Sequence, residues 1–66
     1  MNAKKIGDRL ICLRNKKSQQ EVSKAVGIST SALSMYENGE RIPRDTIKEN
    51  LALYYDTTVQ ALFYDD

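Results

Sequence analysis

Apolar residues recur along the chain at intervals of three or four, which is the spacing of amphipathic helices rather than of strands. In the first segment, Ile6, Leu10 and Leu13 fall on one stripe and predict the buried face of a helix over about residues 4–16. No segment shows the strict alternation of apolar and polar residues that is typical of a strand. The pattern therefore predicts an all-α fold.

Two short helices joined by a tight turn are predicted in the middle of the chain. Ser18 and Glu21 form an S-x-x-E capping box, which marks the start of the first of these helices. Gly27 is expected to end it, because glycine adopts a left-handed backbone at little cost. Ser29 is a typical N-cap for the next helix. These signals together predict a helix-turn-helix over about residues 19–38.

Two further helices are predicted after Pro43, which prevents an earlier restart. One spans about residues 45–55, and a short fifth helix is capped by Thr57 or Thr58. Ser23 is a small residue at which a neighbouring helix can approach closely. The apolar side chains expected to face inward, beyond the first stripe, are Val22, Val26, Leu33, Tyr36, Ile47, Leu51 and Tyr55.

The composition fits one small globular domain, predicted over residues 1–66. No apolar run approaches the roughly 20 residues that span a bilayer, and no signal peptide or appended effector domain is recognised, so no membrane contact is expected. The lone cysteine, Cys12, is expected to be packed or half-packed in a reduced, cytoplasmic compartment. Without histidine, the usual zinc-ligand sets cannot be assembled. No metal, cofactor, small-molecule ligand or enzymatic activity is predicted.

Positive charge is concentrated in the first two thirds of the chain. The net charge is only +1, but residues 1–44 carry nine Lys or Arg against four Asp or Glu, a net +5. Residues 45–66 carry one against five, a net −4. A basic front and an acidic back would orient the molecule toward a polyanion, although a chance skew in a small charged protein gives the same pattern.

The pieces SQQEVSKAVGIS, MYENG, Pro43, LALYY and ALF follow one another in this order. This arrangement resembles the phage Cro/CI-repressor-like (XRE) family of helix-turn-helix DNA-binding domains, over about residues 9–63. The resemblance implies a compact, five-helix, lambda-repressor-like domain whose third helix reads bases in the major groove of double-stranded DNA.

The family's contact positions can be carried over one by one. Its base-reading positions correspond to Thr30, Ser31, Ser34 and Met35. The positions that contact the sugar-phosphate backbone correspond to Gln19, Asn38, Arg41 and Arg44. The third helix offers short hydroxyls and an apolar methionine but no arginine for guanine, so an A·T-leaning site is expected. Capping of the first turn and partial core packing are the alternative roles of these side chains.

The resemblance also implies an ion pair, and the chain departs from the family's pattern at two places. Glu37 corresponds to an acidic residue that pairs with an arginine near the end of the first helix, for which Arg14 is the candidate. The link between Arg14 and Gln19 is shorter than usual and lacks the customary glycine and apolar residue. Where the family often has a serine cap for the fourth helix, this chain has Arg44, so Asp45 is expected to take the capping role.

A single module of this kind makes few base contacts, so a homodimer on a near-palindromic operator is expected. Leu62, Phe63 and Tyr64 are the predicted interface, with the loop near Ile42, although Phe63 could instead close the core of the monomer. The predicted function is that of a small, sequence-specific transcriptional repressor. The alternative is a protein-interaction module, such as a toxin-neutralising or complex-anchoring domain, that keeps the fold.

Overall fold

The computed structural model describes residues 1–65, which form five helices and no strand. The helices are α1 (Ala3–Arg14), α2 (Gln19–Val26), α3 (Thr30–Glu37), α4 (Asp45–Tyr54) and α5 (Gln60–Tyr64). The last of them is a single turn with π-type hydrogen bonding. The prediction of an all-α, five-helix fold is thus confirmed, with Asp66 lying outside the described residues. Among the helices described, none is long and apolar enough to pass through a membrane.

Side-chain caps start α2 and α3 where the sequence predicts them. The Ser18 hydroxyl accepts from the Glu21 N–H at 3.0 Å, and the Ser29 hydroxyl accepts from the Ala32 N–H at the same distance. Gly27 ends α2 in the left-handed region, at φ 85°. The predicted helix-turn-helix is therefore present, with its turn between Gly27 and Ser29.

The starts of α4 and α5 differ in their capping. Within the described residues, no side chain accepts a hydrogen bond at the cap of α4, where Arg44 lies. The prediction that Asp45 caps α4 is wrong, because Asp45 is already helical and its carboxylate lies 3.6 Å from Lys48 Nζ. At α5, the N-cap is Val59, and Thr58 just before it accepts from the Ala61 N–H at 3.0 Å.

The core lies between α1, α2 and α3 and is closed by side chains of α4 and α5. Further apolar side chains, among them Ile47, Tyr55 and Val59, pack against it while half-buried. Burial of this apolar surface is the main stabilising contribution. The buried members of the core are Ile6, Leu10, Val22, Val26, Leu33, Tyr36, Leu51, Leu62 and Phe63.

The backbones of α1 and α3 come into close contact at Gly7. A Cβ atom at this position would lie 2.3 Å from the Glu37 carbonyl oxygen, far inside the van der Waals distance. Glycine in the middle of a helix costs stability relative to alanine, and the close approach explains why it is used here. The contact fixes how α3 lies on the domain.

Two side chains near the end of α1 are more exposed than the sequence predicts. Leu13, expected in the buried stripe, is 39% exposed, and Cys12, expected to be packed or half-packed, is exposed as well. Both lie on the wall of a shallow groove between α1 and α5. These predictions are wrong because α5 is a single turn, which is too short to cover the last turn of α1.

The apolar side chains of α5 belong to the interior of the single chain. Leu62 is 2% exposed and Phe63 is 0% exposed. Their burial in the core of the single chain leaves little of their surface for the predicted dimer interface, which stays a prediction. Tyr64, the third predicted member, is exposed. Arg9 holds α5 on α1 by donating to the carbonyl of Leu62, at 3.1 Å, and to that of Asp65.

Candidate nucleic-acid interface

The third helix presents one face to solvent and buries the other against α1 and α2. Its buried side chains are Leu33, Tyr36 and Glu37. The residues that the resemblance assigns to base reading lie on the surface that remains. Of these, Thr30 and Ser31 are exposed, and Ser34 and Met35 are half-buried.

Hydrogen bonds that converge on Ser23 hold the turn between α2 and α3. The Ser23 carbonyl accepts from the N–H groups of Gly27 and Ile28, both at 2.9 Å. Its buried hydroxyl donates to the Gln20 carbonyl at 3.1 Å and lies 3.2 Å from the Thr30 hydroxyl. The sequence predicts only a small residue here. If small size were the only requirement at position 23, alanine would suffice. The presence of a serine hydroxyl there is the sequence signal that points to this contact.

Gln19, the first residue of α2, is tied to the buried carboxylate of Glu37. Gln19 Nε2 donates to Glu37 Oε1 at 2.8 Å. Arg14 donates from Nε to Oε2 at 2.7 Å and from Nη2 to Oε1 at 3.2 Å, a two-pronged guanidinium–carboxylate contact. The hydrogen bond with Glu37 raises the pKa of Arg14 above its ordinary value. Because an amide nitrogen has two hydrogens, Gln19 keeps one for another acceptor.

The short link between α1 and α2 is braced by the same arginine. Arg14 Nη1 donates to the Lys17 carbonyl at 2.8 Å. Lys17 Nζ lies 4.9 Å from the centroid of the Tyr54 ring, within the range of a cation–π contact. Asn15 ends α1 with φ 55° and ψ −118°, a positive-φ conformation outside the left-handed helical region. These contacts hold the link without the glycine and apolar residue that the sequence lacks.

Polar and basic groups lie at both ends of α3. Asn38, Arg41 and Arg44 are exposed. Arg41 and Arg44 line one groove together with Ser29, which caps the first turn of α3. At the other end, Asn38 Nδ2 lies 3.4 Å from the Ser34 hydroxyl. Each residue that the resemblance assigns to backbone contacts therefore lies beside α3 or, like Gln19, is bonded to it.

A helix-turn-helix family model matches residues 9–62, which is most of the chain. This chain belongs to the XRE-type helix-turn-helix family. The match includes α2, the turn and α3 in full, together with α4 and the second half of α1.

Solved structures of regulators share the fold of this XRE-type domain. The restriction-modification controller protein C.AhdI from Aeromonas hydrophila is 30% identical, with a TM-score of 0.82 over 92% of this chain and 96% of that one. The DNA-binding domain of the P22 C2 repressor is 28% identical, with a TM-score of 0.85 over 100% of this chain and 90% of that one. LexA from Eubacterium rectale, at 24% identity, shares the fold with a TM-score of 0.89 over 98% of this chain and 71% of that one. No curated protein matches the chain significantly.

Lys48 is a buried charge of this XRE-type domain that the sequence pattern does not reveal. Its side chain is almost fully buried on α4 and donates to the Tyr64 hydroxyl at 3.0 Å. The ammonium group also lies 5.0 Å from the centroid of the Tyr64 ring. The hydrogen bond with Tyr64 raises the pKa of Lys48. The residue joins α4 to α5 through contacts inside the domain, so it is not a candidate for contact with a phosphate.

Proposed function

We propose that this domain is a transcriptional repressor that binds double-stranded DNA sequence-specifically, with α3 in the major groove and no enzymatic activity. The observation that carries the proposal is the exposed polar face of α3, which is held at a fixed angle by the Gly7 contact and by the turn at Ser23. The names of C.AhdI and the P22 C2 repressor describe regulators, which supports a regulatory role. A cytoplasmic location, where such DNA would be reached, is part of the same proposal.

Direct readout is assigned to the outer face of α3. The hydroxyls of Thr30, Ser31 and Ser34 can bond to base edges, and Met35 can pack on a thymine methyl group. No arginine lies on α3 to bind guanine through two hydrogen bonds. We therefore expect an A·T-leaning operator, with further selectivity from DNA shape and bridging water.

Contacts to the DNA backbone are assigned to Gln19, Asn38, Arg41 and Arg44. The two arginines are exposed and free to neutralise phosphates. Gln19 is held by Glu37 at the start of α2, where the helix dipole favours an anion. Because bound Lys and Arg release counterions from DNA, we expect the affinity to fall steeply as salt rises.

The proposal includes a homodimer on a near-palindromic operator, since two copies of α3 would double the base contacts. With Leu62 and Phe63 buried, the surface assigned to the interface is reduced to Tyr64 and the loop at Ile42. Tyr64 is 42% exposed and Ile42 is 43% exposed, which is high for large apolar side chains.

Selection of bound duplexes from a random pool tests this function. One enriched motif, rich in A·T pairs and bound less tightly as salt rises, would support it. Ser31→Ala combined with Ser34→Ala should flatten the enrichment, whereas Glu49→Gln, on the exposed surface of α4, should leave it unchanged. If the wild type enriches no motif even at about 50 mM salt, the proposal is overturned in favour of a protein-interaction module.

A further inference from the structure

Ser23 lies behind the outer face of α3 and is not itself on that face. It is 3% exposed and belongs to α2, yet its hydroxyl is 3.2 Å from that of Thr30, the first residue of α3. We infer, on the basis of the DNA-binding function proposed above, that Ser23 is a positioning residue. It fixes the hydrogen-bond polarity of Thr30 and thereby the base pair that Thr30 selects.

The direction of the Ser23–Thr30 hydrogen bond follows from the number of hydrogens present. A serine hydroxyl has one hydrogen, and a carbonyl oxygen can only accept. Ser23 Oγ donates this hydrogen to the Gln20 carbonyl oxygen at 3.1 Å. With this hydrogen assigned to the carbonyl, the shorter of the two contacts, we take Thr30 Oγ1 as the donor, inward to Ser23 Oγ.

A threonine that donates inward offers DNA only its oxygen lone pairs and its methyl group. In the major groove, adenine and cytosine present an amino hydrogen to such an acceptor, whereas guanine presents the acceptors N7 and O6. Thymine adds a methyl group that can pack on the methyl group of Thr30. Only the A·T pair combines the amino hydrogen with a methyl group. Thr30 is therefore expected to select A·T and to reject a guanine that faces its oxygen.

Both partners of the hydrogen bond are anchored, so the polarity of Thr30 is not easily reversed. The Ser23 carbonyl accepts two N–H groups of the turn, which holds this residue in register with the start of α3. Thr30 directly follows Ser29, whose hydroxyl caps the helix. If Thr30 turned its hydrogen outward, the buried Ser23 oxygen would lose a donor without access to water, which is unfavourable.

Base preferences of Ser23→Ala, compared with those of the wild type, test the inference. Alanine keeps the small size and removes Oγ, so the Thr30 hydroxyl becomes free to donate to guanine. At the Thr30 position of the selected operator, we expect wild type to bind guanine roughly five- to tenfold more weakly than adenine. In Ser23→Ala this ratio should fall clearly but stay above one, because the contact between the thymine and Thr30 methyl groups is kept. The Thr30 position is identified as the base pair whose preference changes in Thr30→Val.

Variants of Thr30 provide matched controls. Thr30→Val keeps a methyl group and removes the hydroxyl, so adding Ser23→Ala to this background should not change the base ratio further. Thr30→Ser keeps the hydroxyl and removes the methyl group, so it should retain the rejection of guanine and lose the contact with thymine. Thr30→Val and Thr30→Ser together test the hydrogen-bond polarity of Thr30 without a substitution in α2. Thermal unfolding followed by circular dichroism verifies that each variant is folded.

The possible outcomes separate the inference from the function on which it rests. An unchanged ratio of adenine to guanine binding in folded Ser23→Ala would overturn the inference and leave DNA binding intact. A uniform loss of affinity for all four base pairs would show that Ser23 only supports the fold, and would overturn it equally. If the wild type binds no sequence selectively, the proposed function fails and the inference fails with it.

Discussion

Glu37 is a carboxylate inside the domain, where its charge is tolerated only because donors lie close to it. Its side chain is 3% exposed and accepts hydrogen bonds from Arg14 and Gln19. The arginine neutralises the charge, and the glutamine is the residue proposed to contact DNA phosphate. One carboxylate therefore serves both the stability of the fold and the orientation of a proposed phosphate donor.

Replacement of Arg14 should destabilise the domain strongly. Arg14→Ala would leave the Glu37 charge buried without its main partner, and we expect the free energy of unfolding to fall by about 3 kcal/mol or more. Arg14→Lys should lose less stability than Arg14→Ala, because its ammonium group keeps the positive charge beside Glu37. It should still be less stable than the wild type, because an ammonium group cannot make the two-pronged contact. Urea unfolding measures both. Arg41→Ala, on the exposed surface, is the control and should change stability by less than about 0.5 kcal/mol. A loss that small for Arg14→Ala would contradict a buried pair.

The Tyr55 hydroxyl is buried without a hydrogen-bond partner in the part of the chain that the structure describes. Burial, with the nearby charge of Glu37 as a second cause, raises the pKa of Tyr55 to about 12. In an unfolded chain, a tyrosine has a pKa of about 10. As the pH rises from about 10 to about 12, the unfolded state loses this proton before the folded state does, so stability falls over that interval.

Tyr55→Phe should remove part of this alkaline loss. At neutral pH we expect the free energy of unfolding to stay the same or to rise by about 1 kcal/mol, because an unpartnered buried hydroxyl is removed. Between pH 10 and 12, the decline should be smaller by about 1–2 kcal/mol after allowance for solvent screening of a half-buried side chain. Urea unfolding at several pH values measures this difference. Equal declines in Tyr55→Phe and wild type would refute the assignment.

At the scale of elements, local signals predict most of the fold. Ser18, Gly27 and Ser29 act within one turn of the backbone, so the bounds of α2 and the start of α3 follow from sequence alone. The exposure of Leu13 and the burial of Phe63 depend on how far α5 reaches across α1, which no local pattern contains.

The candidate site shows the same division between local and tertiary information. Helix spacing and family resemblance single out Thr30 and Ser31 as outward-facing, and both are exposed. The contact of Ser23 with Thr30 depends on the separation of two side chains across the turn. Such a distance becomes known only once α2 and α3 are placed in space.

Gly7→Ala should disturb the packing of α1 on α3. The added Cβ would meet the Glu37 carbonyl oxygen, and backbone atoms cannot turn away as a side chain can. We expect a loss of at least about 2 kcal/mol, as for other overpacked sites. Gly27→Ala is the matched control, because its Cβ meets open space and only the positive φ is strained, which costs about 1 kcal/mol. The two variants are compared by thermal unfolding. If both variants lost the same stability, the clash at Gly7 would add no cost, and α1 and α3 would be able to move apart freely.

At the scale of the whole molecule, charge and helix order divide the domain. The basic residues 1–44 supply α1, the helix-turn-helix and the loop with Arg41, whereas the acidic remainder supplies α4 and α5. Such a division favours an approach to DNA with the helix-turn-helix side first. With Phe63 buried, Tyr64 and Ile42 are the exposed residues left for the proposed contact with a second copy.

The proposed homodimer should be detectable both free and on DNA. At about 50 μM, sedimentation should give the mass of two chains. A duplex with two half-sites about 34 Å apart should be bound more tightly than one with a single half-site. Ile42→Ser should weaken both effects. Leu53→Ser, at a site 78% exposed on α4, is the control and should leave them unchanged. A single-chain mass together with equal affinity for the two duplexes would exclude the dimer.

The burial of Leu62 and Phe63 has a consequence for how the protein is made in the cell. These side chains complete a core whose other members, such as Ile6, are synthesised first. While the ribosome still holds the last turn, the nascent chain can form its early helices but cannot seal the space between them. Folding of this domain is therefore expected to finish only after that turn has left the exit tunnel.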